Sequence, residues 1–143
     1  MHCVDVNVLV YAHRPEASRH EEFRTWLDNA RRGDEPLGIA DWVLSGFLRV
    51  VTNPKIFREP TPLTTALAFT DSVRGAPATI SLAPGERHWS IFTRLCEAVE
   101  AKGNLVPDAY LAALAIESGG TWITADRGFA RFPGLRWEHP LDD

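Results

Sequence analysis

The order of patterns along the chain predicts an α/β fold: a single domain over residues 1–143, with a parallel sheet flanked by helices on both faces. Two observations carry this expectation. Short apolar or β-branched runs are each separated from the next by one or more helical stretches, and strands joined through helices pair in parallel beneath them. A chain of 143 residues, 45% hydrophobic and 24% charged, is also long enough to bury one core without disulfide or metal staples. No repeat, charge block or low-complexity linker divides it.

The first apolar run, Cys3 to Ala12, reads either as one strand or as a short strand ending near Asp5 that hands over to a helix near Asn7, since Asp and Asn both favour helix caps. Ser18 to Arg32 places Phe23, Trp26, Leu27 and Ala30 on one face and stops at Gly33-Asp34, which predicts an amphipathic helix. Pro36 to Ala40 predicts a buried strand. Asp41 then caps a helix over Trp42–Val51 whose only charge is Arg49, so burial on several sides and a buried anionic partner for Arg49 are expected.

Thr61-Pro62 opens a helix to about Arg74 as cap and first-turn proline, and a strand follows near Ala78 to Leu82. A helix from about Pro84 to Lys102 stripes Phe92, Leu95, Cys96 and Val99 together. Pro107-Asp108 begins a helix rich in alanine, ended by the Gly119-Gly120 pair. Thr121 to Ala125 is a strand, Asp126-Arg127-Gly128 a turn, and Leu135 to Glu138 the last strand. Trp26, Trp42 and Trp89 are expected in the core, as are Trp122 and Trp137.

Net charge is −4, so the molecule as a whole does not carry the basic footprint usual for nucleic-acid binders, and any such partner needs a local patch. Thirteen arginines stand against two lysines, Lys55 and Lys102. Cys3 and Cys96 lack zinc or redox spacing and read as reduced core thiols. No run approaches the roughly 18 apolar residues of a membrane helix, and Asp5 arrives before a signal-peptide core could form, so no membrane contact and a cytoplasmic location are expected.

In open parallel sheets, ligands bind beyond the carboxyl ends of the strands. With the first run broken, Asp5 ends the first strand, Asp126 follows the strand closing at Ala125, and Asp108 lies in the first turn of a helix. Three carboxylates at one rim, with only oxygen donors on offer, point to a hard divalent cation, Mg²⁺ or Mn²⁺. Each acid also has a structural reading. Asp5 suits a helix cap, Asp108 a helix dipole and Asp126 a turn, although a carboxylate amid Val and Cys costs several kcal/mol unless paired. Asp28, Asp34, Asp71, Asp142 and Asp143 read as solvated surface. The five histidines show no zinc spacing, and no GxSxG, Walker lysine or GxGxxG is present. A phosphoacceptor domain would need an acid pair on the first strand and a lysine after the last, and a small-molecule phosphohydrolase would begin DxD, where Asn7 stands instead.

Four segments in this order, Val4-Asp5-Val6-Asn7-Val8-Leu9-Val10-Tyr11-Ala12, Phe47-Leu48-Arg49-Val50-Val51-Thr52-Asn53-Pro54, Pro107-Asp108-Ala109-Tyr110-Leu111-Ala112-Ala113-Leu114-Ala115 and Thr124-Ala125-Asp126-Arg127-Gly128-Phe129, resemble PIN-domain ribonucleases, in particular VapC toxins of toxin–antitoxin pairs. The likeness spans almost the whole chain and implies a PIN-like sheet with the strand-then-helix form of the first run. It further implies an Mg²⁺-dependent endoribonuclease with Asp5, Asp108 and Asp126 as catalytic residues, Asp5 and Asp108 as metal ligands, and Asn7 orienting Asp5. RNA as substrate, a small antitoxin as inhibitor and a homodimer or toxin–antitoxin hetero-oligomer follow from the same likeness. Arg127 and Arg131 are the candidates to position RNA. Members of the family carry another acid about five residues before the arginine matching Arg49. Leu44-Ser45-Gly46 supply none, and Asp41, three positions before Leu44, is the candidate substitute. A catalytically impaired PIN-fold module that binds RNA or protein is the alternative reading.

Overall fold

The computed structural model describes residues 1–142; Asp143 lies outside the described residues. Five strands, β1 (His2–Val4), β2 (Leu37–Ala40), β3 (Thr79–Leu82), β4 (Thr121–Ile123) and β5 (Trp137–Glu138), form one sheet in the order β3-β2-β1-β4-β5. Every pairing is parallel. Helices α1 (Val6–His13) and α2 (His20–Arg32) connect β1 to β2, and α3 (Asp41–Val51) and α4 (Leu63–Arg74) connect β2 to β3. The chain then returns across the sheet through α5 (His88–Ala98) and α6 (Leu105–Ser118) to β4. Parallel crossovers are right-handed, so reversing the direction of travel puts α5 and α6 on the face opposite α1 to α4.

The first run breaks. β1 ends at Val4, Asp5 is the extended N-cap of α1, and its carboxylate accepts from the Val6 backbone N–H. Central strands are buried along their length, and the core joins Leu9, Leu37, Ile39, Phe47, Leu114 and Trp122 across both layers. The alanine-rich face of α6 is buried from Ala109 to Ala115, because small side chains let the helix backbone approach the sheet closely. Gly119 closes α6 at φ 74, a left-handed cap that glycine adopts without steric cost.

Several expected boundaries shift. Ala40, not Asp41, is the N-cap of α3, and Asp41 is its first residue. Thr61 is no cap either, because its hydroxyl accepts from Arg14 Nη1 while Pro62 precedes α4. α5 starts at His88 rather than Pro84, since Glu117 of α6 accepts from the backbone N–H groups of Gly85 and Arg87 and fixes that stretch as a loop. α6 starts at Leu105, two residues before Pro107, because a proline within the first turn forfeits only an N–H that has no helical partner. The Asp126-Arg127-Gly128 turn opens into a short 3₁₀ helix, Arg127–Arg131. Trp122 is fully buried, but Trp42 and Trp89 are exposed, and Cys96 is only partly buried. Both cysteines are free thiols. Among the described residues no helix is long and apolar enough to cross a membrane.

Candidate active site

The register of β1 on β4 pairs Cys3 with Trp122 and Val4 with Ile123, so the next residues, Asp5 and Thr124, emerge side by side. This is where the strand connections diverge, β1 toward β2 and β4 toward β5, the switch point at which open α/β sheets bind ligands. Asp5 N–H donates to Ile123 C=O (2.9 Å), which continues the ladder one step past the strands.

Polar groups converge on the Asp5 carboxylate. Oδ1 accepts from Val6 N–H (2.7 Å). Oδ2 accepts from the Thr124 hydroxyl (2.7 Å) and from Asn7 Nδ2 (3.3 Å). Thr124 Oγ1 in turn accepts from Asn7 Nδ2 (3.2 Å) and from Asp126 N–H (3.0 Å), while Asn7 Oδ1 accepts from Ala125 N–H (3.1 Å). Asn7 thus ties the start of α1 to the loop after β4 and orients Asp5. Thr124 does as much and escaped sequence reasoning; the signal was a hydroxyl two residues before an acid, inside a buried strand end.

Asp5, Asp108 and Asp126 all line one groove of about 630 Å³, together with Asn7, Trp42, Gly46 and Arg49. Asp126 also caps the 3₁₀ helix through Gly128 N–H (2.8 Å), so its structural role and its place at the groove coexist. Burial raises the Asp5 carboxyl to about 6, helped by the charges of Asp108 and Asp126 and opposed by the Thr124 and Val6 hydrogen bonds. Asp108 is raised as well, first by desolvation and then by Asp126, with Arg131 acting the other way. These acids sense one another's charge.

An all-oxygen donor set in which Asp5 and Asp108 are both held toward the protonated form fits a hard divalent cation. Among the described residues, no three His, Cys, Asp or Glu side chains lie together in a group that could hold a metal ion. The groove gathers carboxylates without chelating on its own.

Other expected residues distribute unevenly. Asp41 pairs with Arg74 Nε (3.2 Å) on α4 and does not line the groove, so it does not replace the acid missing from α3. Gly46 lines the groove instead, and a Cβ there would meet Val6 Cγ2 at 2.9 Å. Arg49 is exposed at the groove wall rather than buried against an acid. Arg127 is committed to Asp142 (2.9 and 3.0 Å) and lines a separate hollow with Trp137 and His139, whereas Arg131 lies close enough to bear on Asp108.

A parallel sheet in this order, with aspartates after its first and fourth strands and in the first turn of α6, defines an open α/β domain with an acidic groove at its switch point. The PIN domain family model matches residues 2–135, and the chain belongs to that family. It is 54% identical over 142 residues to "Ribonuclease VapC43" of Mycobacterium tuberculosis, covering 99% of this chain and 97% of that protein. It is 39% identical to "Ribonuclease VapC25" of the same organism, covering 98% and 99%. Among solved structures, VapBC2 from Rickettsia felis bound to a promoter DNA fragment shares the fold at a TM-score of 0.70 and 18% identity, covering 96% of each chain.

Proposed function

We propose that this protein is a divalent-cation-dependent endoribonuclease, the toxin of a toxin–antitoxin pair, acting on RNA in the cytoplasm. The observation that carries the reading is the convergence of Asp5, Asp108 and Asp126, from three distant segments, on one groove at the switch point of the sheet. The names of the VapC relatives support ribonuclease activity, and the VapBC pair supports an antitoxin partner.

Asp5 and Asp108 are the residues to hold Mg²⁺ or Mn²⁺. Bound there, the ion would make a coordinated water more acidic and offset charge developing on the scissile phosphate. Asn7 and Thr124 fix the Asp5 carboxylate so that it needs little rearrangement to serve as ligand. Asp126, exposed at the groove mouth with one oxygen anchored on Gly128 N–H, orients the attacking water with the other or joins the ligand set. Arg131 is placed near Asp108 to meet a phosphate. A small antitoxin covering this groove would block RNA entry, with the toxin assembling as a homodimer or hetero-oligomer.

Asp5→Asn and Asp108→Asn variants, incubated with RNA and Mg²⁺, are expected to lose cleavage by on the order of 100-fold or more, with unchanged far-UV circular dichroism. EDTA should abolish wild-type cleavage. One observation favours a second reading, a PIN-fold module that binds RNA or protein without cutting: Gly46 stands on the groove and, among the described residues, no fourth acid lines it. RNA left intact by wild-type protein at saturating Mn²⁺ would establish that reading and defeat ours.

A further inference from the structure

Resting on the ribonuclease reading, we infer that Trp42 is a stacking platform for an unpaired nucleobase of the RNA, with Arg49 holding the adjoining phosphate. Both residues lie on α3, and with Gly46 they take positions i, i+4 and i+7, which share one helix face. All three line the groove that holds the acids. Gly46 brings no side chain and Val6 of α1 packs against it, so the face presents an indole and a guanidinium with no long side chain of α3 between them.

Trp42 is 57% exposed, a large apolar area to leave in water beside three carboxylates, and core packing does not account for it. Nor is the ring loose. It lies against Tyr110 at 5.5 Å between centroids, and Tyr110 meets Phe92 at 5.6 Å and His88 at 4.4 Å. His88 is itself fixed by a 2.9 Å hydrogen bond to the Tyr110 carbonyl. Rings from α5 and α6 therefore brace the α3 indole, an ordered surface that loses little entropy when a base stacks on it.

Tyr110 is two residues from Asp108 on α6, so the brace and an acid share one rigid element. Arg49 makes no ion pair among the described residues, which leaves its guanidinium free for a phosphate. An indole flanked by a free cation and cation-binding acids matches the alternation of base and phosphate in single-stranded RNA, whereas an apolar protein segment would bring nothing for Arg49 or the carboxylates. Duplex RNA hides its base faces, so the platform selects unpaired nucleotides.

The test uses the full chain carrying Asp5→Asn to prevent cleavage, with a fluorescein-labelled, random-sequence, single-stranded decaribonucleotide read by fluorescence anisotropy. Trp42→Leu keeps apolar bulk without a ring face and should weaken binding about tenfold, the scale of one base–aromatic stack. Trp42→Phe should recover most of the affinity. Trp89→Leu is the control: Trp89 is 67% exposed but absent from the groove lining, so binding should not change. In the wild-type background, Trp42→Leu should raise KM with kcat nearly constant.

Equal affinities for the Trp42→Leu, Trp42→Phe and parent proteins, equal losses at Trp42 and Trp89, or no binding by the parent would each overturn the inference. A tenfold loss confined to Trp42→Leu, seen in a protein whose wild-type form cuts no RNA, would sustain the platform while removing the nuclease reading. Binding of a protein partner that depends on Trp42, with RNA affinity indifferent to it, would assign the ring to protein recognition and overturn its role as a base platform.

Discussion

At the scale of single residues, the site is dominated by one buried acid held by hydrogen bonds yet strained electrostatically. Moving the Asp5 carboxyl from 3.8 to about 6 on folding corresponds to about 3 kcal/mol. The sign is unfavourable at neutral pH. A carboxyl whose value rises on folding favours the native state while protonated, below its unfolded value, and that contribution is lost as pH climbs through about 6. In EDTA, the Asp5 contribution to wild-type stability is therefore expected to fall between pH 4 and pH 7. Asp5→Asn, which keeps an acceptor for Val6 N–H, should flatten that slope and be the more stable protein at pH 7. Urea denaturation across this range decides it, and parallel pH profiles would show that Asp5 is not the group responsible.

Thr124 carries the complementary expectation. Replacing it by Val keeps the buried shape but removes the donor to Asp5 Oδ2 and the acceptor for Asp126 N–H and Asn7 Nδ2, so three polar groups each lose a hydrogen bond. We expect about 1–3 kcal/mol of destabilisation and weaker cleavage, measured by denaturation and initial rates. A neutral outcome in both would mean that the Thr124 bonds position nothing. Asp5 was legible because a carboxylate in a run of Val and Cys demands a reason. Thr124 was not, since a threonine in a strand suits β propensity whatever its hydroxyl does.

At the scale of elements, α3 shows where pattern reading stops. A helix apolar nearly all round implies burial on several sides, with Trp42 in the core, yet Trp42 and Arg49 face the groove, because periodicity cannot separate apolar area meant for the core from apolar area exposed beside a site. Helix and strand order was readable throughout. The ends drifted where a distant side chain intervened, as Glu117 does ahead of α5. Gly46 illustrates an element-level constraint invisible in sequence. A Cβ there would stand 2.9 Å from Val6 Cγ2, and Val6 is β-branched and stiff at the first turn of α1. Gly46→Ala should thus lose about 1–2 kcal/mol, overpacking outweighing the roughly 1 kcal/mol that alanine gains in helix propensity. Adding Val6→Ala should restore part of that loss. Purely additive effects in the double variant would show that the two helices do not press on each other at this point.

At the scale of the whole molecule, the acids come from three distant parts of the chain. Asp5 closes β1, Asp108 sits in the first turn of α6 and Asp126 follows β4, so a cation among them would brace both layers and offset the repulsion that adds to burial in raising Asp5 and Asp108. Binding to the native state alone stabilises it by about 2.7 kcal/mol when the free ion is a hundredfold above its dissociation constant. For a domain of this size that is a rise in Tm of roughly 10 °C. Mn²⁺ added at pH 7.5 should raise the Tm of wild-type protein on this scale. It should not shift the Asp5→Asn, Asp108→Asn, Asp126→Asn triple variant, which in EDTA should start out the more stable of the two because it lacks the uncompensated charges. Equal shifts in both proteins, matched by NaCl at the same ionic strength, would reduce the effect to screening and leave the three aspartates without a shared ion.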